Sequence, residues 1–326
     1  MQVMSGARAV VECLKREGVK HVFCVPGESY LDVMDALYDE PDIRLISNRH
    51  EGGAAFMAEA YAKASGKPGV VMATRGVGAT NLSIGIHTAY QDSTPMVVFI
   101  GQVDSKFRGR EGFQEIELEQ FLGQICKWTV EIRDVERIPE LVQRAFRVAK
   151  TGRPGPVAVS LPNDVLSREA EMIFGPPAVI PRPKPSAAEA QAAAEVLRQS
   201  CRPLIIAGGG VVWSNGEKEL LKLAEKWNVP VLASFRRHDV FPNNHRLYVG
   251  YSSLGTFPGI LETVRRADTI LAIGSRLSEV TTQGYTLLSA EQKLIQVDIE
   301  ASTLGKVYAP HVGIVADARE ALLSFL

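Results

Sequence analysis

Short apolar runs, too brief to be helices, alternate along this chain with longer stretches of helical spacing. That alternation limits the fold more than any single residue does. In the first half the runs are His21–Val25, Ile43–Ser47, Val70–Thr74, Met96–Ile100 and Val157–Leu161. Between them the pattern predicts helices over Gly6–Glu17, Tyr30–Tyr38, Glu51–Ala64, Thr80–Tyr90 and Pro139–Lys150. Strands apolar on both faces, each separated from the next by a helix, belong to parallel sheets covered on two sides. An α/β fold is expected.

The segment Gly175–Pro185 carries five prolines in eleven residues. Proline at that density can continue neither a helix nor a central strand, so an extended linker is expected over 175–185. Ser186 is placed to cap a helix beginning at Ala187. A second alternating unit follows, with strands near Leu204–Ala207, Val231–Ala233, Thr269–Ile273, Leu294–Val297 and Gly313–Val315. Two domains, 1–174 and 186–326, are therefore expected, and 326 residues at 46% hydrophobic composition can fill both cores.

Charge and cysteine usage exclude several functions. A net charge of -1 gives no electrostatic reason to expect nucleic acid or an anionic membrane as partner. No run is apolar enough to span a bilayer and no signal peptide is visible, which reads as a cytoplasmic protein. Cys13, Cys24, Cys126 and Cys201 are widely spaced, and the six histidines show no ligand spacing, so neither a disulfide framework nor a metal site is expected.

Several motifs sit on this frame. Arg49-His50-Glu51-Gly52-Gly53-Ala54-Ala55 puts one carboxylate at the mouth of a helix whose first turns are nearly bare. Bare backbone lets a ligand ring or a partner helix approach closely. Taken alone, the acid is also what the helix dipole favours there. Thr74-Arg75-Gly76-Val77-Gly78-Ala79-Thr80-Asn81 reads as a strand-to-helix turn, with Thr80 a candidate cap and Asn81 a candidate brace. It lacks the Lys-Ser/Thr of a P-loop and the third glycine of a dinucleotide fingerprint. Pro26-Gly27-Glu28 ends the first strand at the carboxyl edge, where open parallel sheets hold ligands. Gly112-Phe113-Gln114-Glu115, Gly152-Arg153-Pro154-Gly155-Pro156-Val157 and Leu204–Gly210 follow.

In this order the motifs resemble the thiamine-diphosphate enzymes, in the branch that contains acetolactate synthase. The resemblance implies two doubly wound parallel-sheet domains: a pyrimidine-binding domain followed by a Rossmann-like central domain. It implies that Glu51 bonds the pyrimidine ring of thiamine diphosphate and exchanges a proton with it, with Gln114 as a second catalytic group. It places Gly27, Thr74, Gly76 and Asn81 around the same ring, and Phe113 and Gln114 against the substrate. For the central domain it implies that Arg153, Gly209, Arg276, Asp298 and Asp317 face a dinucleotide, with FAD, ADP or nothing bound. Asn163, Leu254 and Leu277-Ser278-Glu279 depart from the lysine, the histidine and the Phe-Asp-Asp typical of acetolactate synthases, which counts against FAD.

The family's Gly-Asp-Gly element, whose acid helps ligate Mg²⁺, does not occur here. Asn243-Asn244 lacks that upstream half and reads as a turn. The expectation is thus the amino-terminal part of a 2-oxo acid decarboxylase or carboligase, inactive alone, with Mg²⁺ held by an absent diphosphate domain. The resemblance implies a homo-oligomer, dimer or tetramer, for the parent enzyme. An oxalyl-CoA-type decarboxylase, a split-subunit enzyme and a non-catalytic nucleotide-binding module are the alternatives.

Overall fold

A computed structural model describes residues 2–326. The chain divides into two compact units, one ending at Ile180 and the other beginning at Pro181.

The first unit opens with β1 (Gln2–Ser5), α1 (Gly6–Arg16), β2 (His21–Cys24), α2 (Leu31–Tyr38), β3 (Arg44–Ser47) and α3 (Glu51–Ser65). It continues through β4 (Gly69–Thr74), α4 (Arg75–Asp92), β5 (Met96–Gln102), α5 (Leu118–Leu122) and β6 (Trp128–Glu131). It closes with α6 (Ile138–Lys150), β7 (Pro156–Pro162), α7 (Asn163–Ser167) and β8 (Glu169–Met172). Six strands form one sheet in the order β3-β2-β4-β5-β7-β6, and all its pairings are parallel. β1 and β8 make a separate antiparallel ribbon.

The two-residue period of the strands sorts their side chains into two cores. Val70, Met72, Val97, Phe99, Val157 and Val159 face one side, where Val10 and Leu14 of α1 and Val142 and Phe146 of α6 cover them. Val71, Ala73, Val98 and Ile100 face the other, beneath Ala54, Ala55 and Ala58 of α3 and Leu82 and Ile86 of α4. A fully buried branched or aromatic side chain of this kind contributes about 1.5–3 kcal/mol.

The second unit contains α8 (Ala187–Arg198), β9 (Pro203–Ala207), α9 (Gly209–Trp213), α10 (Glu217–Trp227), β10 (Val231–Ala233) and β11 (Tyr248–Tyr251). After them come α11 (Pro258–Arg266), β12 (Thr269–Ile273), β13 (Lys293–Asp298), β14 (Val312–Val315) and α12 (Ala318–Phe325). Its six strands run β11-β10-β9-β12-β13-β14, again all parallel. Ile205, Val231, Leu271, Ile295 and Val297 pack with α10 and α12, while Leu204, Ile206, Leu232, Ile270 and Ala272 pack with Val264 of α11. The chain is therefore α/β, with two doubly wound parallel sheets.

Gly66 closes α3 in the left-handed region, a conformation that glycine adopts without steric cost. Ser186 caps α8 and completes a capping box with Glu189. One local expectation is corrected. Thr74–Asn81 is not a turn: α4 starts at Arg75, immediately after β4, and the whole chain reversal falls on Arg75, at φ +45°. Thr80 consequently lies inside α4 and caps nothing. Its hydroxyl donates to Gly76 O at 2.7 Å.

In a doubly wound sheet the crevice for ligands lies where the strand order reverses. In the first sheet β2 is flanked by β3 on one side and β4 on the other, so that point is the carboxyl end of β2 and β4. In the second sheet the corresponding strands are β9 and β12.

Candidate functional site

Three segments meet the β2–β4 reversal. Gly27 follows β2, Thr74 ends β4, and the stretch through Phe113 and Gln114 lies against the start of α4. Gly27 packs directly on Thr74: a methyl group added to Gly27 would lie 1.7 Å from Thr74 Oγ1. Ser29 reaches the same hydroxyl, its Oγ donating at 3.3 Å, and both residues are buried. Tyr30 closes the floor by donating its hydroxyl to Val25 O. Burial raises the Tyr30 phenol well above its ordinary value. It also pushes the neighbouring Cys24 thiol up to about 11, so neither ionises near neutrality.

Glu51 opens α3, where His50 caps the helix by accepting the Gly52 amide on Nδ1 at 3.0 Å. Asn81 of α4 donates its Nδ2 to Glu51 Oε2 at 2.9 Å. Among the described residues no group hydrogen-bonds Oε1. The carboxylate is half-buried and held by Asn81 at one oxygen, with the other oxygen open. That donor set fits an aminopyrimidine, which needs one carboxyl oxygen and no counter-charge.

The bare start of α3 serves the neighbouring helix. A Cβ at Gly85 of α4 would meet the Ala55 methyl at 2.4 Å, and one at Gly69 would meet Ala58 O at 2.2 Å. Small residues here bring α3 onto α4 and β4, which is how Asn81 comes within reach of Glu51. Gly53 alone points into open space.

The Phe113–Gln114 stretch is fixed by three acceptors: Phe113 O, Gln114 O and the Glu115 carboxylate. Gly76 donates its amide to Gln114 O at 2.9 Å, and an added Cβ at Gly76 would strike that oxygen and Ile116. Gly76 is therefore required by this contact. Glu115 accepts Gly109 N at 2.8 Å, Gly112 N at 2.9 Å and Arg108 Nη1 at 2.7 Å. Those backbone donors, with Arg108, hold its carboxyl below the usual range. Arg75 donates to Phe113 O at 3.1 Å and pairs with Glu28 at 3.4 Å. Arg75, Glu111 and Gln114 all hold positive φ, at 45°, 56° and 62°. Each such residue costs on the order of 1–3 kcal/mol, a concentration of strain that functional loops carry more often than structural ones. Sequence reasoning missed Arg75 and Glu115; only their places between Thr74 and Gly76 and beside Gln114 pointed to them.

The structure brings Gly27, Thr74, Gly76, Phe113 and Gln114 together and pairs Glu51 with Asn81. Arg153, expected to face a dinucleotide and not this cluster, lies apart from it. Arg153 precedes β7 at the amino-terminal edge of the sheet, donates to Ser93 Oγ at 2.8 Å and Tyr90 O at 2.7 Å, and so closes the end of α4.

In the second unit, the glycine turn after β9 packs backbone against backbone. A Cβ at Gly208 would lie 2.2 Å from Gly274 O, and one at Gly210 would lie 2.6 Å from Gly274 Cα. A side chain at Gly209 would crowd the Arg237 guanidinium. Arg276 follows the end of β12, two residues after Gly274, and is half-buried. Buried Asp298 accepts Glu300 N at 2.9 Å. Asp317 caps α12 through Arg319 N and Glu320 N and pairs with Arg182 at 2.9 Å. The glycines thus let the strand ends pack closely, and the two acids each accept backbone amides. Asn243 donates to His238 O within a turn.

Among the described residues no helix is long and apolar enough to cross a membrane, and no group of three or more His, Cys, Asp or Glu side chains could hold a metal ion.

Comparison with known proteins agrees with this architecture. Residues 4–121 match the thiamine pyrophosphate enzyme N-terminal TPP binding domain, and residues 190–325 match the central domain of the same enzymes. The chain is 39% identical to a probable acetolactate synthase large subunit of Methanocaldococcus jannaschii, over 99% of this chain and 56% of that protein. It is 35% identical to the acetolactate synthase large subunit of Corynebacterium glutamicum, over 99% and 52%. Against the acetolactate synthase isozyme 3 large subunit of Escherichia coli the identity is 34%, over 100% and 58%. The chain thus spans a little over half the length of these relatives. With two domain matches in order, on two doubly wound sheets, this chain belongs to the thiamine pyrophosphate enzyme family.

Proposed function

We propose that this chain forms the pyrimidine-binding and central domains of a thiamine-diphosphate-dependent enzyme that decarboxylates a 2-oxo acid and transfers the resulting acyl unit, as an acetolactate synthase does. The observation that carries the reading is the Asn81–Glu51 hydrogen bond, 2.9 Å long, which fixes one oxygen of a half-buried carboxylate and leaves the other unbonded. The bound cofactor supplies a nucleophilic carbon and an electron sink. Glu51 holds a proton at its unbonded oxygen and exchanges it with the pyrimidine ring. Asn81 orients that carboxyl group. Gly27 and Thr74 form the packed floor between β2 and β4, while Phe113 and Gln114 border the substrate.

Phosphate and Mg²⁺ belong to a further domain, and the catalytic centre forms between protomers. In support, the outer faces of α3 and α4 expose Phe56, Met57, Val77 and Ile84, apolar side chains of the kind that mark protein contacts. Nothing bound in the second unit is needed for this reading. The gene product that contains this chain, assayed with pyruvate and with thiamine diphosphate and Mg²⁺ added or withheld, tests it. Turnover that requires the cofactor supports the reading, and turnover indifferent to it ends the reading.

A further inference from the structure

One cation at the β2–β4 reversal is held in a way that leaves its fork of donors incomplete. The Arg75 side chain is only 16% exposed. Nη1 donates to Phe113 O, and the guanidinium lies 5.8 Å from the Phe113 ring. Among the described residues its one ion-pair partner is Glu28, through a single 3.4 Å contact to a carboxylate that is itself 55% exposed. Its Nε–H is shut off from solvent and has no hydrogen-bond partner. Beside it, Gln114 Oε1 is likewise buried without a partner. Buried polar groups are nearly always satisfied, and a guanidinium is satisfied best by one carboxylate gripping two N–H groups at once. Glu28 reaches only one.

From this we infer that Arg75 is a specificity-determining residue that binds the carboxylate of a small oxo acid. The incoming carboxylate spans Nη2 and Nε, the edge of the guanidinium away from the Nη1 that meets Phe113 O and Glu28. A cation clamped on the carboxyl group that departs as carbon dioxide would stabilise the reactant and oppose its loss. The carboxylate suited to Arg75 is therefore one that the product keeps. This inference rests on the reading above, in which Phe113 and Gln114 border the substrate.

The test follows the Arg75 Nε–H resonance of this chain by proton–nitrogen correlation. The signal is identified by its loss in Arg75→Lys, or by through-bond assignment if that variant does not fold. Pyruvate is titrated against pyruvamide, which carries the same carbonyl without the charge. Pyruvate is expected to shift the resonance saturably and pyruvamide to leave it unmoved. Glu28→Gln, a change at an exposed side chain, is expected to tighten pyruvate about threefold or more by removing a negative charge beside the bound carboxylate. A resonance that ignores pyruvate, responds equally to pyruvamide, or loses pyruvate affinity in Glu28→Gln overturns the proposal. Glu51→Gln should leave this response intact. A persisting shift with turnover indifferent to thiamine diphosphate would sink the enzyme reading alone, and a missing shift with cofactor-dependent turnover would sink the anion site alone.

Discussion

At the scale of residues, two glycines separate structural need from freedom. Gly27→Ala would force a methyl group onto Thr74, so the floor of the crevice must shift. Such overpacking costs about 1–3 kcal/mol, and the thermal midpoint of the variant should fall accordingly. Gly53→Ala meets nothing within 4 Å in the first turn of α3, where alanine is the better helix former. It should be neutral or raise stability by up to about 1 kcal/mol. Equal destabilisation by both changes would contradict the packing described. Asn81→Ala removes one exposed hydrogen bond and should leave the midpoint nearly unchanged, yet turnover of the complete enzyme should drop about tenfold or more, because the donor that orients the Glu51 carboxyl group is lost. Loss of stability without loss of turnover would make Asn81 structural. Glu51 was legible from its context in the chain. Its partner Asn81 was not, because thirty positions separate them and only the close packing of Gly85 on Ala55 joins their helices.

At the scale of elements, Glu115 sets the shape of the stretch that carries Phe113 and Gln114. Its carboxyl sits below its ordinary pKa because it accepts two backbone amides and pairs with Arg108. A depressed folded value means that the stabilisation is fully present above the unfolded pKa, near 4.5, and is lost as pH falls through the folded one. The stretch should stay ordered at neutral pH and loosen only in acid. Glu115→Gln should mimic that loosening at pH 7, raising hydrogen exchange at Gly109 and Gly112; unchanged protection there would refute the role. The central strands were readable from the sequence, since β4, β5, β7 and β12 are mostly apolar and are buried at every position. The edge strands β6 and β11 were not, because they are only half-buried and their composition does not betray them. β1 and β8 escaped notice for a related reason: their pairing joins opposite ends of the first unit. The turn expected before α4 was mistaken because glycines suggested a loop where a single positive-φ arginine suffices.

At the scale of the whole molecule, each unit has its own sheet and its own pair of cores. The proline-rich stretch is tied at both ends: Gly175 and Ala178 bond within the first unit, while Arg182 and Pro183 bond within the second. Residues 181–326 expressed alone should therefore unfold cooperatively in urea, and a gradual, non-cooperative loss of structure would contradict independent cores. The order of the two domains was legible because alternation and linker composition are local signals. What the second sheet's crevice holds was not, since Gly208, Gly210 and Gly274 would pack on each other with or without a ligand above them.

The measurement that bears most directly on the whole account is thiamine-diphosphate-dependent turnover of pyruvate by the complete gene product, wild type against Glu51→Gln. The amide keeps the shape and the bond to Asn81 but cannot exchange the proton, so turnover should fall about 10²–10⁴-fold with the folded state intact. A glutamine variant that turns over within a few-fold of wild type would show that this carboxylate does not activate the cofactor.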